Sequence, residues 1–418
     1  MKAATILPNK RSSVPERLLI VGASARAAAE SAVRAGFVPM AVDQFGDEDL
    51  RRIAELRTCD RFPEQIPARA AELPPAAVVL TGAMENHPTI VKRLMDVRRL
   101  YGCPLKVIAA VRNPHAVQSA LGKADLPIVA TSRRMPARTP GVGWLKKPLR
   151  GSSGAGICVQ TDNNTASGDD CFYYQKLLHG PSQSGVFLAS SRTTTLVGVT
   201  EQWIGTPWLH ARPFGYTGSL GPLRLDDAAR NIWERIGTTI AQSCGLIGFF
   251  GVDAVIENGA ICAVEVNPRF TASAEILDIA GDGQIMRHHV GACQGENVEI
   301  LACPRSDELH AKAIYFAPQD IIIPLDLENI PWNTSGENVI IRLADIPAPG
   351  KQIKKGQPVA TLLATGMKAV RIRASLQRAV DRLQSHLTCG THQEVASQAV
   401  SASSRSVIGD QRRPANCG

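Results

Sequence analysis

The stretch Ala263–Ser273 reads AVEVNPRFTAS, and the fold turns on what kind of strand ends this way. Val264 and Val266 alternate with Glu265 and Asn267. In an extended chain, side chains two apart share a face, so Glu265 and Asn267 project together. Pro268 removes a backbone donor and ends regular pairing. Arg269 follows at once. Alone, such a stretch reads equally as a solvated face with a turn after it. What precedes it decides the matter.

The preceding segment, GFFGVDAVIENGAICAVEVNPRF (248–270), holds two strand-like runs flanking Glu257-Asn258-Gly259, a hairpin signal. A two-residue Asn-Gly loop pairs Asp253 with Val264 and points Asp253 away from Glu265. A three-residue loop, with Gly259 left-handed in a bulge, pairs Asp253 with Ala263 and puts Asp253, Glu265 and Asn267 on one face. Three hard oxygen donors on one face suit Mg²⁺, which keeps several waters and takes substrate phosphates. The metal reading therefore expects the bulged turn.

Outward from there, RLLIVGASARAAAESAVRAGFVPMAVDQFGDEDL (17–50) reads strand, helix to Arg34, and strand ending at Asp43. That is a parallel-sheet unit. AAVVLTG (76–82) is a further buried strand, with a helix expected from Pro88 to Tyr101. The turn GASARA carries a single glycine, so it does not make the three-glycine dinucleotide motif. Ser24, Arg26 and Asp43 are the natural place for a small substrate.

GWLKKPLRGSSGAGICV (143–159) runs a lysine-bearing strand into a glycine-rich loop. Glycine lets backbone N–H groups turn toward an anion, and a nearby lysine adds charge. This is not a Walker A loop, because no Gly-Lys-Ser/Thr opens a helix. Downstream, a helix is expected over Asp226–Cys244, with Asp226 or Asp227 as N-cap and Ile232, Ile236 and Ile240 as its apolar stripe. Adjacent His288 and His289 cannot share a helix face and read as structural. Met367-Lys368 is not spaced as a biotin or lipoyl attachment hairpin requires.

The composition, 44% hydrophobic and 20% charged over 418 residues, is that of a globular protein with two or three domains. No apolar run reaches the roughly 18 residues of a membrane span. The N-terminus has no secretory h-region, and ten scattered cysteines with no CxxC pair read as reduced thiols; both imply a cytoplasmic setting. The net charge is +8, yet eleven Lys or Arg against three Asp or Glu fall from Lys351 onward, and the first 350 residues carry 35 of each sign. With no basic stripe interleaved with aromatics, the excess reads as a solvated tail rather than a nucleic-acid surface.

With these pieces in order, residues 17–370 resemble the ATP-grasp superfamily. The resemblance implies an α/β (α+β) chain: a Rossmann-like pre-ATP-grasp domain (17–115), two ATP-grasp lobes (116–300) and a small C-terminal β subdomain (301–370). A helix (371–388) and a disordered tail (389–418) would follow. Lys147 and the loop residues Gly151, Ser152, Ser153 and Gly154 are similar to the family's phosphate-binding lysine and glycine-rich loop. YYQKLLHG (173–180) matches the adenine clamp, with the backbone of Gln175 and Leu178 reading the ring and Lys176 as a basic neighbour. Asp253, Glu265 and Asn267 fall on the magnesium positions, with the twelve-residue spacing from Asp253 to Glu265 seen in the family hairpin. Arg269 matches the arginine beside the transferred phosphate.

One departure stands out. Many relatives carry a second lysine ahead of the glycine-rich lobe, and VRNPHAVQSALGK (111–123) offers Arg112 and Lys123 in no clear match. The resemblance implies an ATP- and Mg²⁺-dependent carboxylate–amine ligase, with Mn²⁺ as an alternative metal. Its partners would be a small acid and a small amine, with neither nucleic acid nor membrane, and a homodimer as the default assembly. A small-molecule kinase on the same fold and a non-catalytic ATP-binding protein are the competing readings. Specificity would sit in the loops Ser24–Arg26, Glu85–His87 and Phe214–Ser219.

Overall fold

The computed structural model describes residues 15–137, 140–160, 171–281, 283–296, 298, 307–332 and 338–407, with side chains to residue 388. Its first layer is a five-stranded parallel sheet. In spatial order the strands are Glu55–Thr58, Val38–Asp43, Arg17–Gly22, Ala77–Leu80 and Leu100–Tyr101. Leu18 to Val21 are fully buried, as a central strand covered on both faces requires. Strand order reverses at Arg17–Gly22, between the loops following Gly22 and Leu80. Thr81 Oγ1 donates to Ser24 O (3.0 Å) and locks those loops together.

The helix expected over 88–101 is shorter. It runs Pro88–Met95, and Leu100–Tyr101 pairs with Val78–Val79 as the edge strand. Paired at the edge of the parallel sheet, these two residues gain ladder hydrogen bonds that one more helical turn would forgo.

Asp43 and Arg26 do not form a substrate site. Asp43 Oδ2 accepts from Ala25 N (2.7 Å), and Oδ1 accepts from Phe45 N (2.7 Å) and Gly46 N (2.6 Å). Burial pushes its carboxyl up to about 6 against those three bonds. Arg26 is fully buried between Glu275 and Asp345, donating from Nε to Asp345 Oδ1 (2.8 Å). Lys312 Nζ donates to the other oxygen of Glu275 (2.7 Å). This network joins the first sheet to helix Ala272–Ala280 and to the C-terminal strands, and it leaves Ser24 alone exposed in its loop.

A four-stranded antiparallel sheet follows, ordered Thr131–Ser132, Phe172–Lys176, Trp144–Pro148, Cys158–Gln160. The largest sheet has eight antiparallel strands: Ala260–Asn267, Gly248–Glu257, Ser182–Ala189, Thr194–Ile204, Tyr216–Gly221, Leu309–Phe316, Pro358–Gly366, Val339–Ala344. The last three, from the region expected as a C-terminal subdomain, thus continue the sheet that carries the Asp253–Asn267 hairpin.

Helix Asp227–Cys244 is capped by Asp226 Oδ1 accepting from Ala229 N (2.7 Å) and ends at left-handed Gly245. Trp233, Ile236 and Ile240 are its fully buried residues, and Ile232 packs only partly. His289 is structural. Its Nδ1 accepts from Phe249 N (2.9 Å), which fixes the proton on Nε2 for donation to Tyr101 O (3.1 Å), and burial lowers its pKa to about 4. Lys368 lies just before the final helix, which runs from Ala369 past the position where a tail was expected, to Val407. Residues 408–418 of that expected tail lie outside the described residues.

Candidate active site

The hairpin turn is the plain two-residue form. Glu257 pairs with Ala260, and Asn258 (φ 52°) and Gly259 (φ 81°) are both left-handed, as a type I′ turn requires. The three-residue turn expected from the metal reading is therefore absent. Its consequence is nonetheless present, because a bulge lies further along the strand. The register shifts between Asp253 and Ala254, so that Ala254 pairs with Ala263 and Asp253 with Glu265. Val264 is the extra residue. It flips the parity of the rest of the strand, and Asp253, Glu265 and Asn267 share one face.

A bulge leaves backbone carbonyls without ladder partners, and buried ones must be satisfied. Two glutamines do so from different elements. Gln118 Nε2 donates to Ala263 O (2.9 Å), and Gln175 Nε2 donates to Val264 O (3.3 Å). Gln118 Oε1 in turn accepts from Val129 N (2.6 Å), which ties its helix Pro114–Lys123 to the following loop.

The three oxygen-bearing side chains are held in place. Asn267 Nδ2 donates to Asp253 Oδ2 (3.0 Å), and Gln202 Nε2 donates to Asp253 Oδ1 (2.9 Å). Burial, with the Glu265 charge opposite, pushes the Asp253 carboxyl up to about 6. Burial also acts to raise Glu265, but Arg112, Lys147 and Arg269 outweigh it and hold that carboxyl below the usual range. Two facing carboxylates and an amide make a set that a hard cation would relieve. Among the described residues, no group of three or more His, Cys, Asp or Glu is placed to hold a metal ion. A cation that keeps its own waters and takes phosphate oxygens needs only one or two carboxylates, so the set fits Mg²⁺ and, on the same grounds, Mn²⁺.

Beside this face lies a cavity lined by Arg112, Lys147, Gly151, Ser152, Gly154 and Glu265, among others. Lys147 is buried, with Nζ donating to Gln175 Oε1 (3.1 Å). Lys146 points from the opposite face of the strand and sits 4.4 Å from the Phe172 ring centroid. The glycine loop is folded inward. Gly154 (φ 73°) lies so close to the Phe214 carbonyl that a Cβ would come within 1.8 Å of it, and Arg212 Nη2 donates to Ser153 O (3.2 Å).

Arg269 reaches back over Asn267, donating from Nη2 to Asn267 Oδ1 (3.2 Å) and from Nε to Glu85 Oε1 (3.0 Å). The clamp residues do not line the cavity, although Gln175 bonds two residues that do, Lys147 and Val264. Gln175 pairs on both sides, with Thr131 and Leu145. Lys176 Nζ donates to Glu257 Oε2 (3.0 Å) near the hairpin tip, and Leu178 lies past the strand's end.

Sequence reasoning gave no role to Gln202, found no clear match for Arg112, and placed Glu85 and Asn86 only in a specificity loop. Arg112 Nη1 donates to Glu265 Oε1 (2.5 Å), and Nη2 donates to Gly151 O (2.9 Å) and Asn86 Oδ1 (3.2 Å). Lys123 is exposed near the end of its helix. Arg112 thus supplies a cation in the segment where a second lysine was sought; searching that segment for charge rather than for lysine would have found it.

Residues 115–273 match the model of the ATP-grasp domain family. No curated protein matches the sequence significantly. Among solved structures, the chain is similar to the biotin carboxylase domain of Hydrogenobacter thermophilus 2-oxoglutarate carboxylase, in complex with MgADP, ADP and bicarbonate. That likeness has 13% identity, covers 87% of this chain and 89% of that one, and has a TM-score of 0.66. N5-carboxyaminoimidazole ribonucleotide synthetase from Thermus thermophilus is 15% identical, covering 88% and 98% at a TM-score of 0.63. L-amino acid ligase from Bacillus licheniformis is 14% identical, covering 88% and 98% at a TM-score of 0.65. These identities carry likeness of fold. The match of residues 115–273 spans the glycine loop and the hairpin, so that stretch is similar to an ATP-grasp domain, and the fold is shared with these structures along most of the chain.

Proposed function

We propose that the protein is an ATP-dependent ligase that joins a small-molecule carboxylate to an amine through an acyl phosphate. The observation that carries this reading is a cavity lined by Lys147, Arg112, the glycine loop and Glu265, with Asp253 and Asn267 on the same face as Glu265 and Arg269 bonded to Asn267. Such a set of fixed cations and oxygen donors suits a reaction whose barrier falls through positioning and charge.

In this reading Lys147, Arg112 and the backbone of Gly151–Gly154 hold the phosphates of ATP. Asp253, Glu265 and Asn267 would hold Mg²⁺, which would supply positive charge to offset that of the ATP phosphates. The strand end Gln175–Leu178 holds the adenine. An oxygen of the acid attacks the γ-phosphorus and ADP leaves. Arg269, a planar and permanently charged donor, stabilises the transferring phosphoryl group. The amine nitrogen then attacks the acyl carbon, phosphate leaves with the bonding pair, and the nitrogen loses its proton to give the amide. The inward loop excludes water, which would otherwise hydrolyse the acyl phosphate.

The names of the similar structures lend support, since two are a synthetase and a ligase and one is a complex with MgADP. Among the described residues no helix is long and apolar enough to cross a membrane. The test is product analysis with ATP, Mg²⁺ and a panel of acids, using hydroxylamine as the amine. ADP, phosphate and a hydroxamate in equal amounts support the ligase. ADP with a stable phosphorylated product and no free phosphate would make the protein a kinase.

A further inference from the structure

The short turn Met84–Asn86 belongs to the parallel-sheet domain, yet its side chains reach into the nucleotide-facing cluster. It follows strand Ala77–Leu80 at the point where strand order reverses, and it begins at Ala83, a non-glycine residue in left-handed conformation (φ 74°). Thr81 bonds this loop to the one after Gly22, so the turn projects from a fixed base. Glu85 and Asn86 are both about 94% buried.

Their partners are specific. Glu85 Oε1 accepts from Arg269 Nε (3.0 Å). Asn86 Nδ2 donates to Gly151 O (3.0 Å), in the glycine loop, and Asn86 Oδ1 accepts from Arg112 Nη2 (3.2 Å). Arg112 binds the same carbonyl of Gly151 (2.9 Å) and also Glu265. One carbonyl of the loop is therefore held by two donors, one of them from the parallel-sheet domain.

We infer that Asn86 is a positioning residue that latches the glycine-rich loop shut from the parallel-sheet domain, while Glu85, next to it, aims Arg269. The two act together because they share one turn on one rigid base. Loop closure and the aim of Arg269 are thereby set by the parallel-sheet domain.

The test reads the loop directly by amide hydrogen exchange over residues 150–157, without ligand and with MgADP, in the full chain. Asn86→Ala removes both bonds, and Asn86→Asp keeps an acceptor for Arg112 but loses the donor to Gly151. Both variants should exchange about tenfold faster than wild type in this segment without ligand, at unchanged exchange in the Gly248–Asn267 hairpin. Glu85→Gln should leave the loop's exchange unchanged, because its bond is to Arg269. Equal exchange of the loop in wild type and both Asn86 variants overturns the latch, whether or not MgADP binds. Failure of MgADP to bind wild type counts instead against the nucleotide reading. If Asn86→Ala does not fold, Asn86→Asp alone decides.

Discussion

Asp253 and Glu265 stand directly opposite each other across an antiparallel hairpin, although the turn between them would by itself set them on opposite faces. One extra residue, Val264, makes the difference. The geometry depends on two glutamines that occupy the carbonyls of the bulge.

Replacing Gln118 by Leu should therefore cost about 1–3 kcal/mol, since it strands the Ala263 carbonyl and the Val129 N–H in a buried place. Chemical denaturation at unchanged m-value measures this. A loss no larger than that of an exposed substitution would mean that the bulge is not held by Gln118. Gln175→Leu should show a comparable loss and in addition weaken ATP binding, because Gln175 Oε1 also accepts from Lys147.

The two lysines of the Trp144–Pro148 strand face opposite ways, which separates their roles. Lys147→Ala should raise the dissociation constant for MgADP by about tenfold or more, whereas Lys146→Ala should leave it within about twofold. Calorimetry with MgADP distinguishes them. The reverse order would place the phosphates on the other face of the strand.

Arg112→Ala should weaken nucleotide binding as strongly as Lys147→Ala, and Lys123→Ala should not weaken it. Arg112 sits on Glu265 and Gly151, while Lys123 is exposed on its helix. Similar binding by both variants would remove Arg112 from the phosphate site.

His289 sets a pH dependence. Its folded pKa is lowered to about 4 from an ordinary value of 6.5, because burial disfavours the charged ring. The neutral ring's contribution is fully present above pH 6.5 and is lost as pH falls through the folded value near 4. The full window corresponds to about 3 kcal/mol. Stability measured from pH 7 to pH 4 should fall less steeply in His289→Gln than in wild type. Parallel slopes would show that His289 is not a titrating element of the acid transition.

Much of the fold was legible because alternation and helix punctuation are local. The strand at Leu18–Val21, the cap at Asp226, the stop at Gly245 and the shared face of Glu265 and Asn267 all follow from spacing. The bulge at Val264 was not, because nothing local marks it. It exists through Gln118 and Gln175, which lie 145 and 89 positions from the carbonyls they satisfy. Arg26 looked like a site residue for the same reason: its type was visible, but the partners that consume it were not. Arg26 meets Asp345, 319 positions away. Glu85 and Asn86 were visible only as part of a specificity loop, since their partners Arg269 and Gly151 come from other layers.

The central claim is that an oxygen of the acid attacks the γ-phosphorus of ATP before the amine attacks the acyl carbon. The most direct measurement follows ¹⁸O from a labelled substrate carboxylate, using an acid identified by hydroxamate formation. The account predicts one ¹⁸O in the inorganic phosphate for each amide formed, with the transfer abolished in Glu265→Gln. Amide formation with unlabelled phosphate, or label retained in a stable phosphorylated product, would contradict it.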